Sequence, residues 1–209
     1  MNHIYSIILF KNQDNLNAYV LAQAEDISNL SFFARVSGKG SEFLKFISRT
    51  SAERIIPGIP YGFKEGNFMC WIYPKSDGMI GVAITDDLYP KRIAFNFIDK
   101  CIKKYLSKEN SWDWSLTNED RVTDEKCPDL CDLLIKYKNP LQADSLENCK
   151  NEIDKTKICL HKSIDTLLYR GDKIEILADK SADLSKSSKD FAKKSKKINS
   201  WCHNGCNIM

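Results

Sequence analysis

Apolar and polar residues alternate in short blocks through the first two thirds of the chain, then settle into a seven-residue rhythm. Residues 4–10 and 17–23 are apolar and β-prone, separated by the polar Lys11-Asn12-Gln13-Asp14-Asn15, the pattern of a hairpin. Residues 29–53 carry Phe32, Phe33, Phe43, Leu44 and Ile47 at helical spacing, with a break near Gly38 and Gly40. Two more strands, 67–73 and 79–85, are joined by Pro74-Lys75-Ser76-Asp77-Gly78, a turn signalled by both its Pro and its Gly. A further short strand is expected over 59–63, flanked by Pro57 and Pro60. After Pro90, the residues Ile93, Phe97, Ile98, Cys101, Ile102 and Tyr105 form one face of a helix over 91–106. Residues 127–137 make a shorter helix. Hairpins with helices between them predict an α+β head, a mostly antiparallel sheet with helices packed on its faces.

The pattern changes near residue 139. Residues 1–138 hold 19 of the 22 aromatics, seven of the nine glycines and five of the six prolines. A long stretch with few aromatics or turn residues, rich in Lys, Asp, Leu, Ser and Ala, predicts one extended helix. From Arg170, steps of four and three lead forward to Ile174, Leu177, Ser181, Leu184, Ser188, Phe191, Ser195 and Ile198. Backward they lead to Leu167, Ser163, Leu160, Thr156, Ile153, Cys149 and Leu146. This heptad seam fits within residues 144–200, roughly 85 Å of helix at 1.5 Å per residue. Five of its sixteen positions are Ser or Thr. Small seam residues fit a crowded multi-helix core in which partners supply the bulk. Arg170 is a permanent charge at the centre. Buried, its guanidinium needs carbonyl or carboxyl acceptors and fixes register and partner choice; on a helix packed against the head, it would face solvent instead.

Composition narrows the class. With 43% hydrophobic and 28% charged residues the chain is globular, and a net charge of +3 is too weak for a nucleic-acid surface. No apolar run approaches the ~20 residues that span a bilayer, and Met1-Asn2-His3-Ile4-Tyr5 has no signal-peptide character, so a cytoplasmic start is expected. Eight cysteines show no disulfide-framework spacing. Cys127 and Cys131 read as packed thiols of a short helix rather than half a zinc site. A small GTPase is disfavoured because no glycine-rich phosphate loop follows a strand. A cysteine enzyme is disfavoured because Cys149, Cys159 and Cys202 sit in a helix or tail, where no pocket pairs them with His161 or His203. No catalytic residue, metal or cofactor is expected.

The sequence closes on Trp201-Cys202-His203-Asn204-Gly205-Cys206-Asn207-Ile208-Met209. Cys206, fourth from the end with Ile before a terminal Met, fits a prenylation signal, and Met favours farnesyl. One lipid holds a membrane only marginally, so a second signal is needed. Cys202 is a candidate for palmitoylation, and Lys186, Lys189, Lys193, Lys194, Lys196 and Lys197 against Asp190 could meet anionic headgroups. Alternatively the lysines are a solvated helix face, and the Cys-His-Cys group a chance or metal-binding fragment.

Together these residues resemble the lipid-anchored longin R-SNAREs, synaptobrevin-like proteins without a transmembrane helix. In the tail the likeness rests on Asp154-Lys155-Thr156-Lys157-Ile158, Leu160-His161, Leu167-Leu168, Arg170-Gly171, Lys180-Ser181 and Ser188-Lys189 with Phe191. In the head it rests on Ser31-Phe32-Phe33, Glu42-Phe43, Tyr89-Pro90 with Arg92, Ala94 and Phe95, and Tyr137 with Asn139-Pro140 and Ala143-Asp144. The resemblance implies a longin (profilin-like) head over 1–138 with a mostly antiparallel five-stranded sheet flanked by helices. An R-SNARE coiled-coil helix over 139–200 and a lipidated tail over 201–209 would follow. Arg170 would be the central layer of a four-helix bundle, contacting glutamines from three partner helices, and the fifteen other seam residues its hydrophobic layers.

Further expectations come with the family. Cys206 would carry farnesyl, followed by removal of 207–209 and methylation of the new terminus. Cys202 would carry palmitoyl, although family members commonly place the two cysteines side by side and His203-Asn204-Gly205 separates them here. Phe43 and Phe46 match an apolar groove of the head, which would fold back on the SNARE segment or on the lipid and give a closed, soluble form and an open, membrane-bound one. The implied role is vesicle docking and fusion, cycling between the cytosol and the cytoplasmic face of Golgi, vesicle and endosomal membranes. The competing reading is a longin-type adaptor or tether whose helix binds a single partner. Only a fusion SNARE requires Arg170 within a three-glutamine layer.

Overall fold

A computed structural model describes residues 3–12, 17–26, 28, 40–65, 68–108, 114–121, 127–140, 143, 157–168, 172–186 and 188–189. In chain order these form β1 (Ile4–Lys11), β2 (Tyr19–Glu25), α1 (Gly40–Ala52), β3 (Tyr61–Glu65), β4 (Phe68–Pro74), β5 (Met79–Asp86), α2 (Lys91–Lys108), α3 (Pro128–Tyr137), β6 (Cys159–His161) and α4 (Ile174–Lys180). Short 3-10 turns stand at Trp114–Leu116 and Ile164–Leu167. The sheet order is β2-β1-β5-β4-β3-β6, with all pairs antiparallel except β3 with β6.

Side-chain alternation divides the core into two layers. On β4, Trp71 faces α2 and α3, whereas Cys70 and Ile72 face α1. On β1, Ile7 and Leu9 join the α2 side and Ile8 and Phe10 the α1 side. Ile4 joins the α2 side out of step, because the β1–β5 register shifts between Ile4 and Ser6. Helix α2 lies directly on β5, where a Cβ added to Gly81 would stand 2.2 Å from Ile98 Cγ2. The β4–β5 turn needs its glycine, since Gly78 has φ +91°, and the Asp77 carboxylate accepts the Met79 N–H at 3.0 Å. The outer edge of β2 is covered: Asp120 accepts the Val20 N–H, Arg121 donates to the Val20 carbonyl and Cys127 to that of Gln23.

Two expectations change. The sheet has six strands, not five, and the sixth comes from the tail and runs parallel to its neighbour. The uninterrupted helix expected over 139–200 is also absent among the described residues between 157 and 189, which form a strand, a 3-10 turn and a seven-residue helix. A heptad seam gains its stability from partner helices. Without them, Ile174 and Leu184 bury against the head, and Leu167 and Leu177 pack at the margin. Elsewhere the strand and helix expectations agree with the structure, while the helix signal over 29–39 lies outside the described residues. Cys127 and Cys131 pack, half-buried, against the α2-side core. No helix among the described residues is long and apolar enough to cross a membrane.

At the end of β2, the Asp26 carboxylate meets the Lys138 ammonium, both Ser28 donors and, at 3.8 Å, His3 Nε2. Burial raises its pKa, but the bonds to Lys138 and Ser28 and the charge of Lys138 outweigh this, holding it at about 2. A depressed carboxylate stabilises the fold above its unfolded pKa and loses that contribution as pH falls toward the folded value. Asp26→Asn should therefore cost about 1 kcal/mol near neutrality after solvent screening. In urea titrations against pH, the gap to wild type should close between pH 4 and pH 2. A gap unchanged across that range would remove Asp26 as its source.

Candidate functional site

The site is a seat on the α1 side of the sheet, where the head holds its own tail. Helix α1 presents Leu44, Phe46 and Ile47 to the strands, and Tyr61 and Phe63 of β3 continue the same apolar surface toward the sheet edge. Beyond that edge, the Cys159 N–H donates to the Pro60 carbonyl at 3.0 Å, and Tyr61, Gly62 and Phe63 pair with Cys159, Leu160 and His161. The His161 ring stacks on Tyr61 at 5.7 Å, and Gly62, with no side chain, leaves room for Trp71 and Leu160 above it. The tail then turns onto α1. Ile164, Ile174, Ala178 and Leu184 enter the same core as Phe46, and Leu167, Leu168 and Leu177 pack at its margin.

Charges fix the far side of this seat. Arg49, in the last turn of α1, donates to both carboxylates of an Asp120–Asp183 pair, with a 2.5 Å contact to each, and to the Ala18 carbonyl. Lys45, one turn earlier, lies 3.4 Å from each of the same carboxylates. Burial works against the Arg49 charge, but Asp120 and Asp183 overcompensate and raise its pKa. Burial likewise opposes ionisation of Asp120, which is nonetheless held below the usual carboxylate range by Arg49, the Val20 N–H and Lys45. A crevice of about 590 Å³ opens beside this cluster, with Phe46 and Leu177 among its walls.

The structure places the expected seam residues unevenly. Ile174, Leu184 and Ser188 are buried. Ser163, Leu167, Leu177 and Ser181 are half-buried, while Leu160 is 62% exposed on the opposite face of the sheet. Phe46 is buried in the seat, whereas Phe43 lies half-buried beside it on a cavity of about 30 Å³ shared with Phe63 and Phe68. Arg170, Leu146, Cys149, Ile153, Thr156, Phe191, Ser195, Ile198, Cys202 and Cys206 lie outside the described residues. Sequence reasoning missed Lys45, Arg49, Asp120 and Asp183, and missed Ile164 and Ala178, which are buried although neither is a seam position. Heptad spacing carries no signal for residues read by the head alone.

This geometry can hide a helix-forming segment; no potential metal site of three or more His, Cys, Asp or Glu occurs among the described residues. Comparison with known proteins gives the family of both parts of the chain. A family model for a regulated-SNARE-like (longin) domain matches residues 30–125, and one for synaptobrevin matches residues 145–208. The synaptobrevin homolog YKT6 of Eremothecium gossypii is 40% identical over 95% of this chain and 98% of its own length. The homolog of Saccharomyces cerevisiae is 37% identical over the same shares, and that of Yarrowia lipolytica 40% identical over 88% of this chain and 91% of its own.

Proposed function

The chain belongs to the longin R-SNARE family of the YKT6-type synaptobrevin homologues, and from this membership we propose that the described form is the closed state of a lipid-anchored fusion protein. As an R-SNARE of vesicle trafficking it acts with other SNARE helices in a bundle. In our reading the bundle has three glutamine-bearing partners, with Arg170 as its central layer and the other fifteen seam residues as its hydrophobic layers. Zippering from the N-terminal layers toward the membrane would bury aliphatic side chains, each contributing roughly 1.5–3 kcal/mol. Anchors on two bilayers convert that energy into membrane approach. We assign the chain no catalytic role and no cofactor beyond covalent lipid.

One observation carries the autoinhibitory part: Ile174 and Leu184 are seam positions buried in the α1-side core of the head. A residue cannot be inside the head seat and inside a four-helix bundle together, so closure and assembly exclude each other. Farnesyl on Cys206 and palmitoyl on Cys202, with the lysines from 186 to 197, would hold the open form on membranes. The closed form would return to the cytosol, giving a cycle between cytosol and the cytoplasmic faces of Golgi, vesicle and endosomal membranes.

Assembly of the full chain with three glutamine SNARE helices, followed by circular dichroism, tests this. A large gain in helicity with a cooperative melt is expected, lowered by several degrees in Arg170→Ala. If no partner set raises helicity, or Arg170→Ala melts as wild type does, the single-partner adaptor or tether reading replaces it.

A further inference from the structure

The tail crosses α1 in one direction and one register, and charged contacts mark both. Asp172 lies 3.6 Å from Arg54, just past the end of α1. Asp183 meets Arg49 and Lys45, and the Ser185 N–H donates to Glu42 Oε2 at 2.7 Å in the first turn of the helix. Rising tail numbers thus meet falling numbers on and just beyond α1: the two run antiparallel. Apolar contacts alone do not fix direction or register, because burial is non-directional. Contacts between charges do.

None of Asp172, Asp183 and Ser185 is a seam position. We propose that Arg54, and Arg49 with Lys45, form a charge code by which the head selects the segment it closes on, written on residues that the bundle layers do not use, while Glu42 holds only a backbone N–H. This rests on the closed-state reading above and names its specificity determinants. The central rung dominates, since Asp183 is 10% and Arg49 19% exposed, whereas the Asp172 carboxylate is 34% exposed and more screened. The tail's own sequence sharpens the code, because Lys180 and Lys186 flank Asp183 at three residues on either side. A slip of three residues in either direction brings a lysine to Arg49, so those registers are rejected by like charge. Asp120 remains beside Arg49 when the tail leaves. The opened head then presents Lys45 and Arg49 beside Asp120 and Glu53, short of the Asp183 carboxylate that the tail supplied.

The experiment compares the full-length wild type, Asp183→Lys, Arg49→Glu and the combined exchange by amide hydrogen exchange. Tail protection is read at Cys159–His161 and Ile174–Lys180, and head integrity at β1 and β5. Each single exchange should lower tail protection 10- to 100-fold and quicken assembly with three glutamine SNARE helices. The combined exchange should restore protection, and Asp183→Lys should leave the melting temperature of the finished bundle unchanged. Asp183→Lys lies outside the head, so it keeps the test decisive if Arg49→Glu disturbs β1 and β5. Wild-type protection in Asp183→Lys, or no recovery in the combined exchange with an intact head, overturns the code. An unprotected tail in the wild type overturns closure itself, and the code with it.

Discussion

Ala178→Glu should open the closed state while leaving every bundle layer as it was. Ala178 is fully buried in the head seat, yet the seam passes through positions 174, 177 and 181, so its side chain is not a layer residue. A glutamate there would put an uncompensated carboxylate into an apolar core, at a cost of about 3 kcal/mol or more. That is a shift beyond 100-fold in the closed-to-open ratio. In a bundle the same position lies on a flank where charge is tolerated, and glutamate favours helix more than most residues. Amide exchange in α4 and β6 should become fast, and assembly with partner helices should quicken, while the assembled melt stays that of wild type. Retained protection in α4 would mean that the tail is not held through Ala178.

The second large effect concerns the head itself. Gly81→Val should destabilise it by about 3 kcal/mol, because the first added carbon already falls 2.2 Å from Ile98 Cγ2 and 3.3 Å from Ile102 Cδ1. Ile98 is β-branched and fully buried, so it has few rotamers into which to retreat. Helix α2 must lift off β5 or the strand must bend. Thermal melts should fall by roughly 10 °C, whereas Gly81→Ala should fall less. A valine variant melting within about 2 °C of wild type would show that α2 is more loosely seated than the geometry requires.

Much of the head was legible in the sequence because its signals are local. The hairpin over β1 and β2, the turn at Asp77 and Gly78, and helices α2 and α3 follow from spacing within a dozen residues. The seam was legible too, but the state it adopts in the free chain was not. A heptad pattern says that one face seeks apolar partners without saying whose. Ile164 and Ala178 stand off that face, and β6 is three residues long, too short for any alternation to announce it. Asp183 and Arg49 are 134 positions apart, so no window could pair them. Resemblance to a family supplied the expectation of a folded-back tail. The residues that hold it became visible only when α1, the 117–121 segment and the tail were placed together.

The antiparallel path of the tail along α1 has a mechanical consequence. Tension applied beyond residue 189 meets the Ser185–Glu42 bond first, then the Asp183 cluster, then Ala178 and Ile174, and reaches β6 last. Contacts loaded one after another peel at low force, whereas the same contacts loaded side by side would resist as a block. An anchor pulling from the C-terminal end therefore undoes the seat by peeling. Tension from the head side would strip the three-residue β6 first, and the two ends of the same latch would yield to different loads.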